Sequence, residues 1–400
     1  MRTEAAVVGA GPAGLIAARE LARRGVEVKV FEEHPVIGEP SHCAGILSVE
    51  GLRRLGVEPD HRFIRHEIRG GTAFSPNGAG IRITGSRTRA YVVDRAQFDR
   101  HLAEMALDSG AEIETDYRVK ELLVKGGRVS GVRGKADVEA GVVINAEGAA
   151  GALARRIGLP RPEEGVLAGL NVDVTDVDPE PYMAEVWLGD CLAPGLFAWV
   201  APTGEGEARC GLACSRGDAH ALLRGFLERR FGLKDCGEPE RWPVLTGGPI
   251  ERTYSDGLLL VGDVAGQTKP TTGGGVILGG LCAIEAAGTA CEALEAGDTS
   301  SEFLSRYEDR WRGALGGEFS SMLGARRFLN GISDDRMDRI FASLKGAGLE
   351  STLERFVDEG DMDMQSGVLR SALTHPGLLK VLAGSLGRLA LGELKGLFNL

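Results

Sequence analysis

The first 32 residues constrain this chain more than any other segment. A strand-like apolar run leads into Gly-Ala-Gly-Pro-Ala-Gly at residues 9–14, and a helical pattern then leads to a second apolar run that ends at Glu32. Gly9 allows a tight turn, Gly11 lets the backbone approach a pyrophosphate, and Gly14 lets helix and strand pack closely. The helix N-terminus offers free N–H groups to phosphates, and Glu32 is placed to accept hydrogen bonds from a ribose. The segment therefore predicts a strand–helix–strand unit that binds an ADP-containing dinucleotide.

A second glycine-rich turn follows another buried-strand pattern. The run 257–263 ends in Gly262 and Asp263, and three glycines at 273–275 then open a predicted helix over residues 276–296. In a flavin cofactor Asp263 would take the ribityl hydroxyls, and the N–H groups of residues 273–276 would face the pyrophosphate or the flavin ring. Arg95, at the start of a predicted helix, adds a cation. Two such turns fit one long cofactor, which favours FAD over NAD.

The composition limits the partners. The 400-residue chain carries a net charge of −11 and 43% hydrophobic residues. The acidic balance argues against nucleic acid as a partner, and the length and hydrophobic content predict two or three domains with real cores. The seven cysteines are scattered without a CxxC pair, so we expect a reduced cytoplasmic compartment and no metal centre. We also expect no signal peptide and no membrane-spanning helix, since no run of about 18 apolar residues occurs.

The order of patterns predicts an α/β protein with a Rossmann-like FAD-binding domain, an inserted and mostly antiparallel β-sheet substrate domain, and a helical C-terminal region. The apolar run 142–146 is typical of a buried parallel strand. Further strands are predicted at 111–115, 118–124, 128–132, 169–174, 183–188, 197–200 and 208–214, helices at 95–109 and 219–231, and loop with a short helix at 41–70. From residue 302 we expect helices, with breaks at Gly331, 346–348 and Pro376. The predicted domains are the FAD-binding domain (1–70, 95–165 and 251–300), the substrate domain (71–94 and 166–250) and the helical domain (301–400).

Four segments carry a resemblance to a known family. They are the loop 36–45 around Cys43, the segment 193–202 around Trp199, the Pro-Thr-Thr-Gly-Gly-Gly run at 270–275, and the helix 307–329 with the Ser-Asp-Asp run at 333–335. Together with the two glycine turns and residues 91–99, they resemble flavoproteins of the para-hydroxybenzoate hydroxylase-type fold, and within that group the geranylgeranyl reductase family. The resemblance covers most of residues 1–340. It implies FAD-dependent reduction of C=C bonds in the prenyl chains of isoprenoid lipids.

The motifs and the resemblance together give the candidate site residues. Cys43 and His42 are the candidate catalytic residues, each as a proton source near the flavin; a tuning contact or simple packing is the alternative for Cys43. The candidate cofactor-binding residues are Gly9, Gly11, Ala13, Gly14, Glu32, Glu33, Cys43, Ala44, Arg95, Val119, Gly262, Asp263, Gly273, Gly274, Gly275 and Val276. The candidate substrate-binding residues are Phe197, Trp199, Ala201 and Pro202.

Two segments depart from the family pattern where substrate should meet flavin. The family's aromatic segment reads Tyr-x-Trp-x-Phe-Pro, whereas this chain has Phe197 at the tyrosine position and Ala201 at the phenylalanine position. The cysteine loop has Ala44 where the family has glycine. Because the smaller Ala201 would widen or reshape a tunnel, these changes affect the expected substrate more than the expected cofactor.

Saturating an isolated alkene requires a hydride from the flavin, a proton on the other carbon and the exclusion of water. The chain shows neither a second dinucleotide motif nor a CxxC cluster, so we expect an external electron donor, a ferredoxin or NAD(P)H. A basic patch such as Arg326-Arg327 could receive an acidic ferredoxin. The leucine-rich stretch 378–400 is predicted to pack as an amphipathic helix on the protein or a partner, with peripheral contact at the inner face of the cell membrane as the alternative. Two other functions stay open: an FAD-dependent monooxygenase on an aromatic or polyketide-like substrate, and a prenyl-binding carrier without redox activity.

Overall fold

The computed structural model describes residues 1–41, 43–160, 162–235 and 237–386. Its strands are β1 (Arg2–Val8), β2 (Val28–Phe31), β3 (Ile46–Ser48), β4 (Ile64–Ile68), β5 (Gly70–Phe74), β6 (Gly80–Ile83), β7 (Ala90–Val93), β8 (Glu112–Glu114), β9 (Glu121–Lys125), β10 (Arg128–Arg133), β11 (Asp137–Asn145), β12 (Val166–Thr175), β13 (Met183–Trp187), β14 (Ala198–Gly204), β15 (Glu207–Cys214), β16 (Glu240–Leu245), β17 (Tyr254–Ser255) and β18 (Leu258–Leu260). Its helices are α1 (Pro12–Arg23), α2 (Val49–Arg54), α3 (Arg95–Asp108), α4 (Ala152–Arg156), α5 (Ala219–Phe231), α6 (Val276–Ala296), α7 (Ser301–Asn330), α8 (Asp334–Gly346), α9 (Glu350–Glu359), α10 (Ser366–Thr374) and α11 (Pro376–Leu386), and a 3₁₀ turn spans Gly262–Ala265.

The first sheet is built around parallel strands in the order β8-β2-β1-β11-β18. Counted along the chain, this is the order 3-2-1-4-5 of a doubly wound nucleotide-binding sheet, which reverses beside β1. Gly9 follows β1 and Ala146 follows β11, so both lie at the carboxyl edge, where such sheets bind ligands. The hairpin of β9 and β10 pairs with β11, and β17 pairs with β18. The predicted Rossmann-like unit is confirmed.

Helices α1, α3 and α6 cover one face of this sheet and form the largest core cluster with it. The central strand β1 buries four successive apolar residues, as expected for a parallel strand that is covered on both faces. Among the described helices, α6 alone has the length and hydropathy of a membrane span, yet 67% of its apolar window is buried inside the protein. It packs along α1, so its apolar composition is accounted for by the core.

The second sheet has seven strands in the order β16-β12-β15-β14-β13-β5-β6. Neighbouring strands are antiparallel except β13 and β5, which confirms the mostly antiparallel sheet expected in the middle of the chain. Helix α5 packs on it through Leu223, Phe226 and Leu227. The sheet thus combines residues from 70–83 with residues from 166–245.

A third, three-stranded sheet joins β3, β7 and β4. It corrects the expectation of loop with a short helix at 41–70. The segment 41–70 contains two strands in addition to its helix, and β7, which the proposed division at residue 94 assigns to the substrate domain, pairs with β3 and β4 instead. The strand β3 has only three residues, and its partner lies more than 40 residues away, so local pattern could not reveal it. The exact domain division stays a proposal.

The C-terminal region is helical as predicted, with α7 ending at Asn330 and α8 at Gly346. One interruption was not predicted: residues 360–365 separate α9 from α10. The guanidinium of Arg89 stabilises the chain at the start of this interruption, because it donates hydrogen bonds to the carbonyl oxygens of Asp358 and Gly360, each at 2.6 Å. Residues 387–400 of the predicted amphipathic stretch lie outside the described residues.

Candidate cofactor site

A cavity of about 890 Å³ opens at the carboxyl edge of β1, β11 and β18, near the upper end of the ~300–1,000 Å³ typical of ligand sites. The predicted cofactor-binding residues that line it are Gly9, Gly11, Ala13, Gly14, Glu32, Glu33, Cys43, Arg95, Val119, Gly262, Asp263, Gly273, Gly274, Gly275 and Val276. The exception is Ala44, which packs behind the wall with the cluster around Trp199. The two glycine-rich turns therefore meet at one cavity.

Three glycines shape the end of the cavity beside α1. A Cβ atom on Gly14 would lie 2.0 Å from the carbonyl oxygen of Gly9, and a Cβ atom on Gly9 would lie 2.5 Å from that of Ala146. Gly9 also has φ +95°, a conformation that L side chains rarely adopt. A Cβ atom on Gly11 would meet nothing within 4 Å, so this backbone faces open space. Gly9 and Gly14 permit the close packing of the turn, and Gly11 leaves room for a ligand.

The carboxylate of Glu32 ties the end of β2 to the glycine turn. Its Oε2 accepts the N–H of Ala10 at 2.7 Å, and its Oε1 lies 2.9 Å from the N–H and 2.6 Å from Nδ1 of His34. Glu32 is 9% exposed and still lines the cavity, so it can both support the turn and face a ribose. The neighbouring Glu33 is half-exposed and pairs with Arg118 at 3.3 Å.

The second turn lies directly against the first. A Cβ atom on Gly262 would lie 3.0 Å from the Cβ of Ala13. Next to it, the Asp263 side chain receives no hydrogen bond from any described residue, although it lines the cavity. Burial raises the pKa of Asp263, and the nearby charge of Arg95 opposes that rise. A half-buried carboxylate without a donor, at the wall of a cavity, is suited to ligand hydroxyl groups.

The electrostatics of the cavity suit an anionic ligand. The first turns of α1 and α6 both line it, and the N–H groups of a first turn have no partner within their helix. Glu32 is placed for a ribose at one end and Asp263 for hydroxyls at the other. These donors, acceptors and the open space at Gly11 fit FAD, with its adenosine beside Glu32, its pyrophosphate at the N-terminus of α1 and its ring toward Asp263 and the N-terminus of α6.

Cys43 lines the same cavity beside a buried ion pair. The Arg95 guanidinium donates to both carboxylate oxygens of Asp99, each at 3.1 Å, and also contacts the Cys43 side chain. Burial disfavours the charge of Arg95, but Asp99 and Cys43 outweigh it and raise the pKa of Arg95. The N–H of Gly45 donates to the Cys43 Sγ at 3.3 Å. His42, the other predicted proton source, lies outside the described residues.

The four predicted substrate-binding residues do not line the cavity, which corrects their expected position. Phe197 and Trp199 pack in one cluster of the core, and Ala201 packs in another. Ala201 and Pro202 are buried, and the indole N–H of Trp199 donates to Asn171 Oδ1 at 3.2 Å. Trp242 of the edge strand β16 does line the cavity, and its ring centroid lies 6.3 Å from that of Trp199.

Several wall residues escaped the sequence analysis. Trp242 and Pro243 belong to a strand that was not predicted. Lys269 lies within the glycine-rich motif at 262–276 and could have been found there, whereas nothing near Asp363 in the sequence indicates a site. The proposed basic patch is corrected for one of its two residues: Arg327 is exposed, but Arg326 is 4% exposed and donates to the carbonyl oxygens of Pro270 and Gly195. Among the described residues no cluster of His, Cys, Asp or Glu could hold a metal ion.

Comparison with known proteins agrees with this geometry. The model of the FAD binding domain family matches residues 2–313. The chain is 36% identical over 395 residues to digeranylgeranylglycerophospholipid reductase 2 of Methanothermobacter thermautotrophicus, covering 96% of this chain and 99% of the relative. It is 33% identical to digeranylgeranylglycerophospholipid reductase of Methanocaldococcus jannaschii, covering 94% and 96%. This chain belongs to the digeranylgeranylglycerophospholipid reductase family.

Solved structures extend the comparison. A geranylgeranyl bacteriochlorophyll reductase-like protein from Thermoplasma acidophilum superposes with a TM-score of 0.84 at 27% identity over 99% of both chains. A flavin-dependent brominase, 18% identical with a TM-score of 0.70 over 93% of this chain and 98% of the other, shares the fold alone. FAD is the cofactor of this protein, which is an FAD-dependent oxidoreductase that needs an electron donor. The monooxygenase alternative has less support, because the relatives are named as reductases.

Proposed function

We propose that this enzyme saturates C=C bonds in the geranylgeranyl chains of an isoprenoid glycerophospholipid. The observation that carries the proposal is the match over 96% of the chain to a relative named for that reaction. The residues of the cavity support it, because all but one of the predicted cofactor-binding residues line one site. A carrier without redox activity would not need Glu32, Asp263 and the glycine turns together.

The far end of the cavity has the apolar wall that such a substrate needs. Ile46, Leu47, Trp242, Pro243 and Ile277 line it. An isolated alkene has no carbonyl group that could accept hydrogen bonds from the protein. Apolar contacts must therefore bind and orient it, in a site that excludes water. When bound, FAD supplies the hydride from its reduced ring. The protein's part is to align the alkene with the cofactor and to deliver a proton to the other carbon.

Cys43 is the proposed proton donor among the described residues. Its side chain lines the cavity, and Arg95 can stabilise the negative charge that proton donation leaves on the sulfur. Cys43→Ala should slow alkene reduction at least about a hundredfold, the lower end of the range of about 10²–10⁴ for general acid catalysis. The rate at which dithionite reduces the flavin should stay unchanged. Equal loss of both rates would assign Cys43 to packing or to the cofactor instead.

The decisive experiment uses the holoenzyme reduced chemically with dithionite. We expect a geranylgeranyl-bearing glycerophospholipid to gain two hydrogen atoms for each saturated bond, measured by mass spectrometry, while the flavin is reoxidised. An unchanged lipid mass in the presence of fully reduced flavin would contradict the proposal. Oxygen-dependent hydroxylation of an added aromatic substrate, with NADPH consumption, would select the monooxygenase instead.

We propose an external ferredoxin or NAD(P)H as the electron donor and a cytoplasmic enzyme with peripheral membrane contact. Arg326 is buried and Arg327 is exposed, so only Arg327 of this pair is available to contact a ferredoxin. Anaerobic mixing of the oxidised holoenzyme with each donor separates the two, because only the true donor should bleach the flavin absorbance within one turnover time. Sedimentation with anionic lipid vesicles tests the membrane contact, and recovery of all protein in the supernatant would contradict it.

A further inference from the structure

A buried ion pair joins the flavin end of the cavity to the C-terminal helical region. Lys269 Nζ lies 2.7 Å from Asp363 Oδ1, and both residues line the cavity. The Lys269 side chain is 13% exposed and that of Asp363 is 1% exposed. The cationic partner is therefore the one closer to open space. The assigned cofactor and substrate residues do not include either partner.

The glycine-rich turn at residues 269–275 positions the Lys269 side chain. The Lys269 N–H donates to the Gly274 carbonyl oxygen at 2.9 Å, and the Lys269 carbonyl oxygen accepts the N–H of Gly273 at 2.7 Å. These bonds fold the lysine side chain over the glycine run. A Cβ atom on Gly274 would meet Lys269 Cε at 2.9 Å and Nζ at 3.5 Å. The ammonium thus lies beside the N-terminus of α6, at the cavity wall.

Asp363 is held from several sides. It sits in the interruption between α9 and α10 and is fully buried. Its Oδ2 accepts the hydroxyl of Ser48, which is also the N-cap of α2. Its N–H donates to Asp361 at 2.7 Å, and the Asp361 carboxylate pairs with Arg54 at 2.6 Å. A carboxylate fixed in this way leaves the Lys269 ammonium little freedom, because the free energy lost on breaking a buried pair is large.

The position of this pair identifies the part of the cofactor that it meets. Glu32 and the N-terminus of α1 are placed for the ADP portion, which leaves the rest of the cavity to the redox-active ring. Lys269 lines that cavity beside Gly274, at the glycine run that opens α6. When the cofactor takes up two electrons from an external donor together with one proton, it gains one negative charge. A fixed cation at that end stabilises the reduced form more than the oxidised form.

We propose that Lys269 sets the reduction potential of the bound cofactor, with Asp363 as the positioning residue that holds its ammonium at the flavin end. The C-terminal helical region then completes the redox site through Asp363, which lies beyond the FAD-binding match at residues 2–313. This inference concerns the cofactor and stands whether or not the proposed lipid substrate is correct.

The test is the two-electron midpoint potential of the holoenzyme, measured by reductive titration against indicator dyes. Lys269→Met removes the charge and keeps the length, so the ratio of reduced to oxidised cofactor affinity should fall about tenfold, a shift of about −30 mV for a two-electron couple. Asp363→Asn removes the opposing charge, so the same ratio should rise at least threefold, a shift of about +14 mV. The opposite signs separate an electrostatic role from mere structural support.

Controls and limits make the outcome decisive. Lys125→Met removes a lysine that also pairs with a carboxylate, Glu139, but lies outside the cavity wall, and its potential should equal that of the wild type. Lys269→Arg keeps the charge and should stay within threefold of the wild-type ratio. Shifts of the same sign in Lys269→Met and Asp363→Asn, or a Lys269→Met change below threefold, would overturn the proposal. If Lys269→Met does not retain flavin, the sign of the Asp363→Asn shift decides alone.

Discussion

The two ends of the cofactor cavity differ in how the chain assembles them. At the nucleotide end, the turn at residues 9–14 and Glu32 come from one strand–helix–strand unit at the start of the chain. At the flavin end, Cys43, Trp242, Lys269 and Asp363 come from four separate segments, one of them in the C-terminal helices. One substitution can therefore disrupt cofactor binding at the nucleotide end. At the flavin end several residues contribute, so we expect each single substitution there to have a smaller effect.

The largest effect should come from Gly14→Ala at the nucleotide end. The added Cβ atom would lie 2.0 Å from the Gly9 carbonyl oxygen, so the helix and the turn must separate. We expect destabilisation by about 3 kcal/mol or more and purification without flavin. The ratio of flavin to protein absorbance and the thermal unfolding curve measure both effects.

The matched control is Gly225→Ala, in the middle of α5, where an added Cβ atom meets nothing within 4 Å. It should retain full flavin content and be about 0.5–1 kcal/mol more stable, because alanine favours the helix. Wild-type flavin content in Gly14→Ala would show that the turn is not the close-packed element described here.

The second largest effect, a loss of FAD affinity, should come from Glu32→Gln, which keeps the shape of the side chain and removes its charge. The Glu32 carboxylate holds the Ala10 N–H at 2.7 Å and faces the predicted ribose position. Hydrogen bonds to a charged group contribute about 1.5–3 kcal/mol, so we expect FAD affinity to fall about ten- to hundredfold, measured by fluorescence on flavin release. Glu27→Gln, at an exposed carboxylate before β2, is the control. Equal affinities of the two variants would contradict the role of Glu32.

The contrast between the ends also explains what could be predicted from the sequence. Gly9, Gly11, Gly14 and Glu32 act through local backbone geometry, so their spacing alone indicated their roles. The placement of Trp199 failed for a different reason. Whether a strand residue faces a cavity or the core depends on what packs on that face of the sheet, and Trp199 packs in a core cluster.

The residues of the flavin end could not be predicted from the sequence for the same reason. Asp363 lies in a chain interruption that the helical pattern after residue 302 did not reveal. The proposed role of Asp363 depends on its ion pair with Lys269, which is 94 residues away along the chain. The parallel sheet and its helices could be predicted because their patterns are regular and long. Contacts between distant segments, such as β3 with β7, leave no such periodic signal.

An intermediate effect should come from Asp263→Asn, which separates binding from stability. FAD affinity should fall about tenfold, because the amide is a weaker acceptor for ligand hydroxyls. Burial raises the pKa of Asp263 in the folded protein. Between the unfolded-state pKa and this raised pKa, the folded state therefore binds more protons than the unfolded state. The stability of the cofactor-free protein therefore falls as pH rises from the unfolded-state pKa through the raised folded-state pKa.

The amide in Asp263→Asn does not ionise, so this loss should be absent from the variant. At pH 7 we expect the cofactor-free variant to unfold about 2–4 °C above the wild type, and the two curves should converge at low pH. Thermal unfolding at several pH values measures this, with Asp108→Asn at an exposed position as the control. A constant difference at all pH values would show that the charge of Asp263 has no part in it.

The smallest effect should come from the aromatic pair at the substrate side, where the sequence and the structure point to different residues. Trp242 lines the cavity, so Trp242→Phe should raise the KM for the proposed lipid about threefold with little change in kcat, equivalent to about 0.65 kcal/mol of lost contact. Trp199→Phe removes the hydrogen bond to Asn171, which should lower stability by about 1 kcal/mol and leave the KM unchanged.

Steady-state kinetics and thermal unfolding of both variants measure this difference directly. A raised KM in Trp199→Phe together with a wild-type KM in Trp242→Phe would favour the contact that the sequence pattern predicted, and it would require β14 to become accessible when lipid binds. The ring centroids are 6.3 Å apart, so a variant at one position can also shift the other ring. The double variant resolves this: effects on KM and on stability that add up independently would mean that each tryptophan acts separately, Trp242 on the substrate and Trp199 on the sheet.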